Sequence, residues 1–223
     1  MFSMSRKKIN EVESKFNFDA RRRSTRILVI DDDLNSFDPF KPLQKEGYAI
    51  DFWQKIEDLG KLETGYYDII VLDIRGVGQE WSSEEEGFAI LELLKSRNPS
   101  QIVIAYSGET FDFSKQKFYR MADDMIPKSS VDAAKCKVVI DSLIMSKLKP
   151  TILWDLIEDV LLKNGISKRQ VKKLEIKVVK ALEKNADKQT LQKIIKRFVS
   201  DEDVWITVSI LIGKLCLAIV SGR

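Results

Sequence analysis

Five side chains that could do phosphoryl or metal chemistry follow short apolar runs in the sequence. Asp31 and Asp32 follow one such run, and Asp73 follows another. Ser107 ends a third run, and Lys128 comes shortly after a fourth. Carboxylates that lie close together repel one another unless a hard divalent cation such as Mg²⁺ holds them. An aspartate beside such a cation can attack a phosphoryl group, while a lysine and a hydroxyl orient the phosphoryl oxygens.

The apolar runs themselves predict the strands of a doubly wound α/β sheet. Five β-rich runs alternate with amphipathic stretches, which is typical of a parallel sheet covered by helices. In such a sheet, the carboxyl ends of the strands meet at a crevice where ligands bind. The predicted strands are Ile27–Ile30, Ala49–Trp53, Ile69–Leu72, Ile102–Tyr106 and Asp124–Ile126, with helices at about 40–46, 55–63, 85–97, 113–121 and 131–146.

After Pro150 the pattern predicts helices only. The last of them is apolar nearly all round with Lys214 near its centre, which favours a buried core helix over a membrane span. We therefore expect three parts: a basic N-terminal extension (1–25), part of it helical, an α/β domain (26–147) and an all-α module (148–223). The module's predicted helices are 151–163, 167–184, 187–199 and 204–220, with Ser167, Asp187 and either Asp201 or Ser200 as caps.

Composition excludes several classes of site. The 223 residues contain no histidine, which rules out His-based zinc sites, Ser-His-Asp hydrolysis and a phosphohistidine within them. Cys136 and Cys216 lack the spacing of a metal site or a disulfide framework, and we expect both in the core. An acidic middle block lies between two basic flanks, which suggests separate modules. Since no apolar leader opens the sequence, we expect a cytoplasmic protein.

Six stretches of the middle block match one known family in the family's order. They read RILVIDDDL, GYAIDFW, YYDIIVLDIRG, EGFAILELLK, IVIAYSG and ADDMIPK. Over about residues 26–147 the chain resembles the receiver domain of two-component response regulators. The resemblance implies a CheY-like, flavodoxin-like sheet of five parallel strands, here followed by a small all-α domain.

The resemblance also implies a phosphorylation site with Mg²⁺ as its cofactor. Asp73 corresponds to the phosphoacceptor and also to a metal ligand. Asp31 and Asp32 correspond to the acidic pair that holds Mg²⁺, and the backbone carbonyl of Arg75 to a further ligand.

Other positions correspond to residues that respond to phosphorylation or tune it. Ser107 matches the switch hydroxyl, and Lys128 matches the lysine that pairs with the phosphoryl group. Arg75 and Glu109 match positions that modulate loss of the phosphoryl group. Met125 stands where receivers usually have an aromatic side chain whose inward swing reports phosphorylation.

Two further departures affect the loops around this site. Ser129 follows the lysine, where receivers usually have proline. The connection at residues 76–86 is about six residues longer than is usual in the family, and it contains Trp81 and three consecutive glutamates. We interpret this insertion either as a solvated loop or as a lid specific to a partner.

The implied function is that of a response regulator. A histidine kinase or phosphotransfer protein would phosphorylate Asp73, and residues 151–223 would signal as a protein-interaction or dimerisation module. No enzymatic activity is expected beyond phosphoryl transfer and its reversal by hydrolysis. Three alternatives stay open: a nucleic-acid binder that uses the basic residues of 165–200, a phosphoryl sink for a kinase, and a haloacid-dehalogenase-like phosphatase with Asp31 as nucleophile.

Overall fold

The computed structural model describes residues 9–108 and 116–220, apart from the side chains of Phe118 and Val220. The chain divides into two compact units. One unit is Arg22–Ile144, and the other joins the residues up to Arg21 to those from Met145 onward. The domain limits taken from the sequence stay predictions, because compactness alone does not show that either part folds by itself.

The first unit is built on a single parallel sheet with the strand order β2-β1-β3-β4-β5. This order confirms the predicted doubly wound sheet, and it is the order shared by flavodoxin and CheY. The strands are β1 (Arg26–Ile30), β2 (Ala49–Trp53), β3 (Ile69–Asp73), β4 (Ile102–Ser107) and β5 (Asp124–Pro127).

The three central strands form the core of this unit. Every residue of β3 and β4 is buried, and Ile27–Ile30 of β1 are fully enclosed. Central strands of a parallel sheet are covered on both faces, and so they are apolar continuously rather than at alternate positions. The edge strands β2 and β5 each leave several residues exposed. The apolar runs of the sequence therefore mark the strands that bring the candidate side chains together.

Helices connect the strands in the predicted places. The helix after β2 begins later than expected, because the Asp58 carboxylate caps it by accepting the Lys61 N–H at 3.0 Å. The predicted helix at 113–121 lies partly outside the described residues. The helices up to this point of the chain are α1 (Ile9–Glu13), α2 (Phe18–Ser24), α3 (Lys41–Lys45), α4 (Leu59–Glu63), α5 (Gly87–Arg97), α6 (Gln116–Tyr119) and α7 (Ala133–Lys147).

The second unit is helical, as predicted. The Ser167 hydroxyl and the Gln170 side chain form a capping box, and the Asp187 carboxylate accepts the Thr190 N–H at 2.8 Å. Of the two candidate caps for the last helix, Asp201 is the one whose carboxylate accepts the Val204 N–H, at 3.0 Å. The helices are α8 (Pro150–Lys163), α9 (Lys168–Glu183), α10 (Lys188–Lys196) and α11 (Glu202–Val220).

The α11 helix contributes to the core of this unit, as its apolar composition predicted. It packs on α8, and Lys214 is buried within it. Within residues 9–108 and 116–220, no helix combines the length and apolar character needed to cross a membrane. The N-terminal extension also contributes, because Ile9 and Val12 are buried and the Ile9 N–H donates to Glu175 Oε1 at 3.1 Å. Both free cysteines are buried, as expected.

Candidate active site

Three carboxylates meet at the carboxyl ends of the two central strands β1 and β3. Asp31 and Asp32 follow β1, and Asp73 is the last residue of β3. One oxygen from each of the three lies within 4.8 Å of the others. Asp31 and Asp73 are buried, whereas Asp32 is exposed. The parallel register of β1 and β3 explains the meeting, because Ile30 and Leu72, which precede Asp31 and Asp73, are partners in the sheet.

Lys128 places one positive charge between the two buried carboxylates. It follows β5 and begins a short 3₁₀ turn at Lys128–Ser130. Its Nζ lies 2.6 Å from Asp31 Oδ2 and 2.9 Å from Asp73 Oδ2. A buried carboxylate is costly unless it is paired and hydrogen-bonded, so one ammonium group stabilises both acids.

The protonation of Asp73 reflects this environment. The pKa of Asp73 is raised from 3.8 to about 6. Burial is the main cause and the charge of Asp31 adds to it, whereas the Lys128 ammonium and the Arg75 N–H oppose the rise. Burial by itself would lower the pKa of Lys128, but its hydrogen bonds to Asp31 and Asp73 outweigh burial and raise it. At neutral pH, Asp73 is therefore mostly ionised and Lys128 is protonated.

The raised pKa of Asp73 predicts a pH-dependent stability in magnesium-free buffer. Because the folded pKa exceeds the unfolded one, the group's stabilising contribution is complete below pH 3.8 and is lost as the pH rises through about 6. Between about pH 7.5 and about pH 5, the wild-type protein should gain about 1 kcal/mol of unfolding free energy relative to Asp73→Asn. Urea denaturation at several pH values measures this, and a pH-independent difference between the two proteins would contradict it.

The residues just after Asp73 close over the same site. The Arg75 N–H donates to Asp73 Oδ1 at 3.1 Å, and the Gly76 N–H donates to Glu86 Oε2 at 2.9 Å. Gly76 has a φ of +85°, and a Cβ built there would lie 2.6 Å from both carboxylate oxygens of Asp32. Only glycine fits at this position, since any side chain would strain the backbone and displace Asp32.

Gly87 lets the first turn of α5 contact the end of β3. A Cβ at this position would lie 2.2 Å from the carbonyl oxygen of Asp73, a separation that no real side chain tolerates. We expect Gly87→Ala to lower the free energy of unfolding by about 2 kcal/mol, since overpacked sites typically cost this much. Urea denaturation checks it against Gly60→Ala at an exposed position of helix α4, and this variant should stay within about 1 kcal/mol of wild type. Equal stability of the two variants would contradict this packing.

Ser107 and Lys128 lie at the same edge of the sheet. Ser107 is the buried last residue of β4, and it pairs with Pro127 of β5, directly before the lysine. Gly108, the residue after Ser107, lies beside the lysine side chain, since a Cβ built on it would be 3.9 Å from Lys128 Cδ. The side chain of Met125 is exposed on β5. Glu109, predicted to modulate the site, lies outside the described residues.

Tyr106 is a site neighbour that the sequence did not reveal. It is the register partner of Asp73, and its ring centroid lies 5.1 Å from Lys128 Nζ. Its hydroxyl donates to the carbonyl of Ser36 at 3.1 Å, while Phe40 packs edge-on against its ring. An aromatic residue in a buried strand normally indicates core packing, and no signal in the sequence marked this one as different.

Glu86, Gly76 and Gly87 were also missed. They lie where the 76–86 insertion begins and ends, and the contact between its two ends depends on the path of the loop. The glycines were the available signal. A glycine two or three residues after a strand-end aspartate often marks a close backbone approach, and one directly after an acidic run often marks a tight helix start.

The donor set of the cluster fits a hard divalent cation. All three clustered groups are carboxylates, and Mg²⁺ prefers oxygen ligands in octahedral geometry with several waters retained. The exposed Asp32 leaves the site open to solvent on one side. The cluster has no thiolate or imidazole, so a zinc-type site is not indicated.

Comparison with known proteins gave similar solved structures only. A receiver domain protein from Methanospirillum hungatei JF-1 has 24% identity and a TM-score of 0.47, covering 55% of this chain and 95% of that one. TrrA from Thermotoga maritima, solved with Mg²⁺ and BeF, has 27% identity and a TM-score of 0.44, covering 53% of this chain and 98% of that one. A signal receiver domain from Colwellia psychrerythraea 34H has 25% identity and a TM-score of 0.44, covering 55% of this chain and 99% of that one. All three come from response regulators.

These similarities extend over about half of the chain. No protein-family model matches the sequence, and no curated protein matches it. The remaining part is helical.

Proposed function

We propose that the α/β unit is a phosphorylatable receiver domain in which Asp73 accepts a phosphoryl group from a phosphohistidine donor. The observation that carries this proposal is the contact of Lys128 Nζ with both Asp31 and Asp73, inside a cluster of three carboxylates. A cluster of acids alone is common on protein surfaces. Two buried acids, bridged by a lysine at the carboxyl edge of a doubly wound sheet, form an arrangement suited to phosphoryl chemistry.

The transfer begins with attack by a carboxylate oxygen of Asp73 on phosphorus. The bond from phosphorus to the donor imidazole breaks, its electron pair stays on the imidazole nitrogen, and Asp73 becomes an acyl phosphate. Asp73 is prepared for this step because the Arg75 N–H and the Lys128 ammonium contact its two oxygens and fix their orientation. Hydrolysis of the acyl phosphate returns the aspartate.

Lys128 and Ser107 would receive the phosphoryl oxygens. The Lys128 ammonium neutralises part of their charge, and the Ser107 hydroxyl at the end of β4 donates a hydrogen bond. A bound Mg²⁺, held by Asp31, Asp32, Asp73 and the Arg75 carbonyl, would supply the remaining charge neutralisation.

The donor must lie outside these 223 residues, since they contain no histidine. A histidine kinase or a phosphotransfer protein provides the required phosphohistidine. The test is to incubate the protein with Mg²⁺ and a small phosphodonor such as acetyl phosphate. One acid-type phosphoryl group per chain, located on Asp73 by peptide mass spectrometry, supports the proposal, whereas its presence on another residue would contradict it.

The helical unit is proposed to carry the output as a protein-interaction or dimerisation module. A second candidate output is nucleic-acid binding, which one specific observation favours. All eleven basic residues between 165 and 200 are exposed, while the apolar face of α9 is buried. Binding of the full chain to DNA or RNA that weakens steeply with salt would favour this output, because phosphate contacts release counterions.

The position and fate of the phosphoryl group also distinguish the receiver from two other candidate functions, a phosphatase and a phosphoryl sink. A haloacid-dehalogenase-like phosphatase would carry its phosphoryl group on Asp31, so Asp73→Asn would keep the label and peptide mass spectrometry would locate it on Asp31. Such a phosphatase needs paired acids at the end of a strand that comes after its lysine. In the described residues no strand follows Lys128. A phosphoryl sink would drain a kinase through Asp73 even after deletion of the helical output.

A further inference from the structure

We infer that Glu86 is a positioning residue for the divalent cation, acting through the peptide group between Arg75 and Gly76; this inference rests on the proposed function. Glu86 lies at the far end of the insertion, yet its Oε2 accepts the Gly76 N–H at 2.9 Å. That N–H belongs to the same peptide group as the Arg75 carbonyl. The carboxylate of Glu86 therefore holds the peptide whose carbonyl is the proposed backbone ligand.

The peptide between Arg75 and Gly76 is fixed from several sides. The Arg75 N–H is bonded to Asp73, and the α-carbon of Gly76 packs directly against the carboxylate of Asp32. A trans peptide directs its carbonyl opposite to its N–H. With the N–H bonded to Glu86, the carbonyl points away from Glu86, and it lies on a segment that contacts two of the three clustered carboxylates.

The backbone of Glu86 is strained in a way that serves this contact. It has a φ of 50° and a ψ of −125°, which a residue with a side chain rarely adopts. Glu86 is the residue that caps α5, but its side chain makes no capping hydrogen bond to that helix. An acidic cap normally accepts an N–H of its own first turn. Here the Glu86 carboxylate accepts the Gly76 N–H instead, on the segment whose Arg75 carbonyl is the proposed ligand.

The bond also closes the insertion at its base. Gly76 and Glu86 are its first and last residues, and Gly87 follows in contact with the carbonyl of Asp73. The outer part of the loop is exposed, including Trp81 at 54%. The two ends of the long loop are thereby held together next to the site.

A charged acceptor on a peptide N–H has two effects on the carbonyl of the same group. It fixes the orientation of that carbonyl, and it raises the electron density on the carbonyl oxygen through hydrogen-bond polarisation. Both effects strengthen the bond to a hard cation. Residues that hold a ligand in this way typically change metal affinity about 10–100-fold when they are removed.

The test is the affinity of the full chain for Mg²⁺ alone, measured by calorimetric titration without any phosphodonor. Glu86→Ala is expected to weaken Mg²⁺ binding at least about tenfold. Glu86→Gln, whose amide oxygen can still accept the N–H, should lie between Glu86→Ala and wild type. Glu84→Gln removes the same charge from an exposed position two residues away, and its affinity should stay within about twofold of wild type.

Urea denaturation in chelator verifies that each variant folds, and Glu86→Gln preserves the test if Glu86→Ala does not. The inference is overturned if Glu86→Gln and Glu84→Gln weaken binding equally, or if Glu86→Ala binds Mg²⁺ like wild type. If Glu86→Ala binds Mg²⁺ like wild type, Asp32→Asn separates the inference on Glu86 from the proposed function. Weaker Mg²⁺ binding by that variant would leave the proposed function standing without Glu86, and wild-type protein that binds no Mg²⁺ would remove both.

Discussion

Replacing Asp73 with asparagine is expected to abolish phosphorylation by a small phosphodonor in the presence of Mg²⁺. The amide of asparagine has no anionic oxygen to attack phosphorus, and it cannot form an acyl phosphate. The replacement keeps the size of the side chain and an oxygen that can accept the Arg75 N–H. The expected loss is total, because the nucleophile itself is removed. Intact-mass spectrometry of the chain with and without donor measures it.

The matched control for this variant is Asp58→Asn. Asp58 is an exposed aspartate at the start of α4, and asparagine caps a helix as well as aspartate does. This control should be phosphorylated to the wild-type extent. Persistence of the phosphoryl group in Asp73→Asn would remove Asp73 as the acceptor, and its disappearance in Asp31→Asn alone would favour the phosphatase alternative.

Replacing Lys128 with methionine is expected to have the second largest effect, on both stability and reactivity. Without the ammonium group, Asp31 and Asp73 are two buried like charges with no counterion between them. Breaking a buried ion pair on one side typically costs about 3 kcal/mol or more. The phosphorylation rate should also fall about a hundredfold, since one group that stabilises the transferring oxygens is lost.

Magnesium should partly compensate for the loss of Lys128. A divalent cation replaces the missing charge between the carboxylates, and it no longer experiences repulsion from the ammonium group. Mg²⁺ should therefore stabilise Lys128→Met against urea more than it stabilises wild type. The control is Lys45→Met in the last turn of α3, where the side chain is exposed and the change should stay within about 0.5 kcal/mol. A Lys128 variant as stable as this control in chelator would contradict the bridging role.

The sequence was sufficient to predict the sheet and the residues at its edge. Its signal was the continuous apolar character of the central strands, which burial on both faces requires. Because strands in a parallel sheet all end at one edge, the position of an acid after an apolar run translates directly into a position in the site. Asp31, Asp32 and Asp73 were predicted together for this reason, and the structure brings their carboxylate oxygens within 4.8 Å.

The helical unit was predictable to a similar degree, and for a local reason. Its helices begin at side chains that accept N–H groups only three residues away, as at Ser167 and Asp187. Such capping depends on short-range spacing that the sequence displays. The burial of Ile9 and Val12 could not be read in the same way, because their partners in α8 and α9 lie more than 130 residues away in the sequence.

The sequence by itself determined the fold class, the acidic residues and the lysine, since strand periodicity and strand-end position are encoded locally. Only the tertiary structure decided that Lys128 bridges two acids, that Tyr106 lies opposite Asp73, and that Glu86 holds the Gly76 peptide. The first two contacts depend on the register and packing of neighbouring strands, and the third depends on how the long 76–86 loop returns to the sheet. Loop paths are set by packing and by the satisfaction of individual N–H groups, and neither leaves a periodic signal in the sequence.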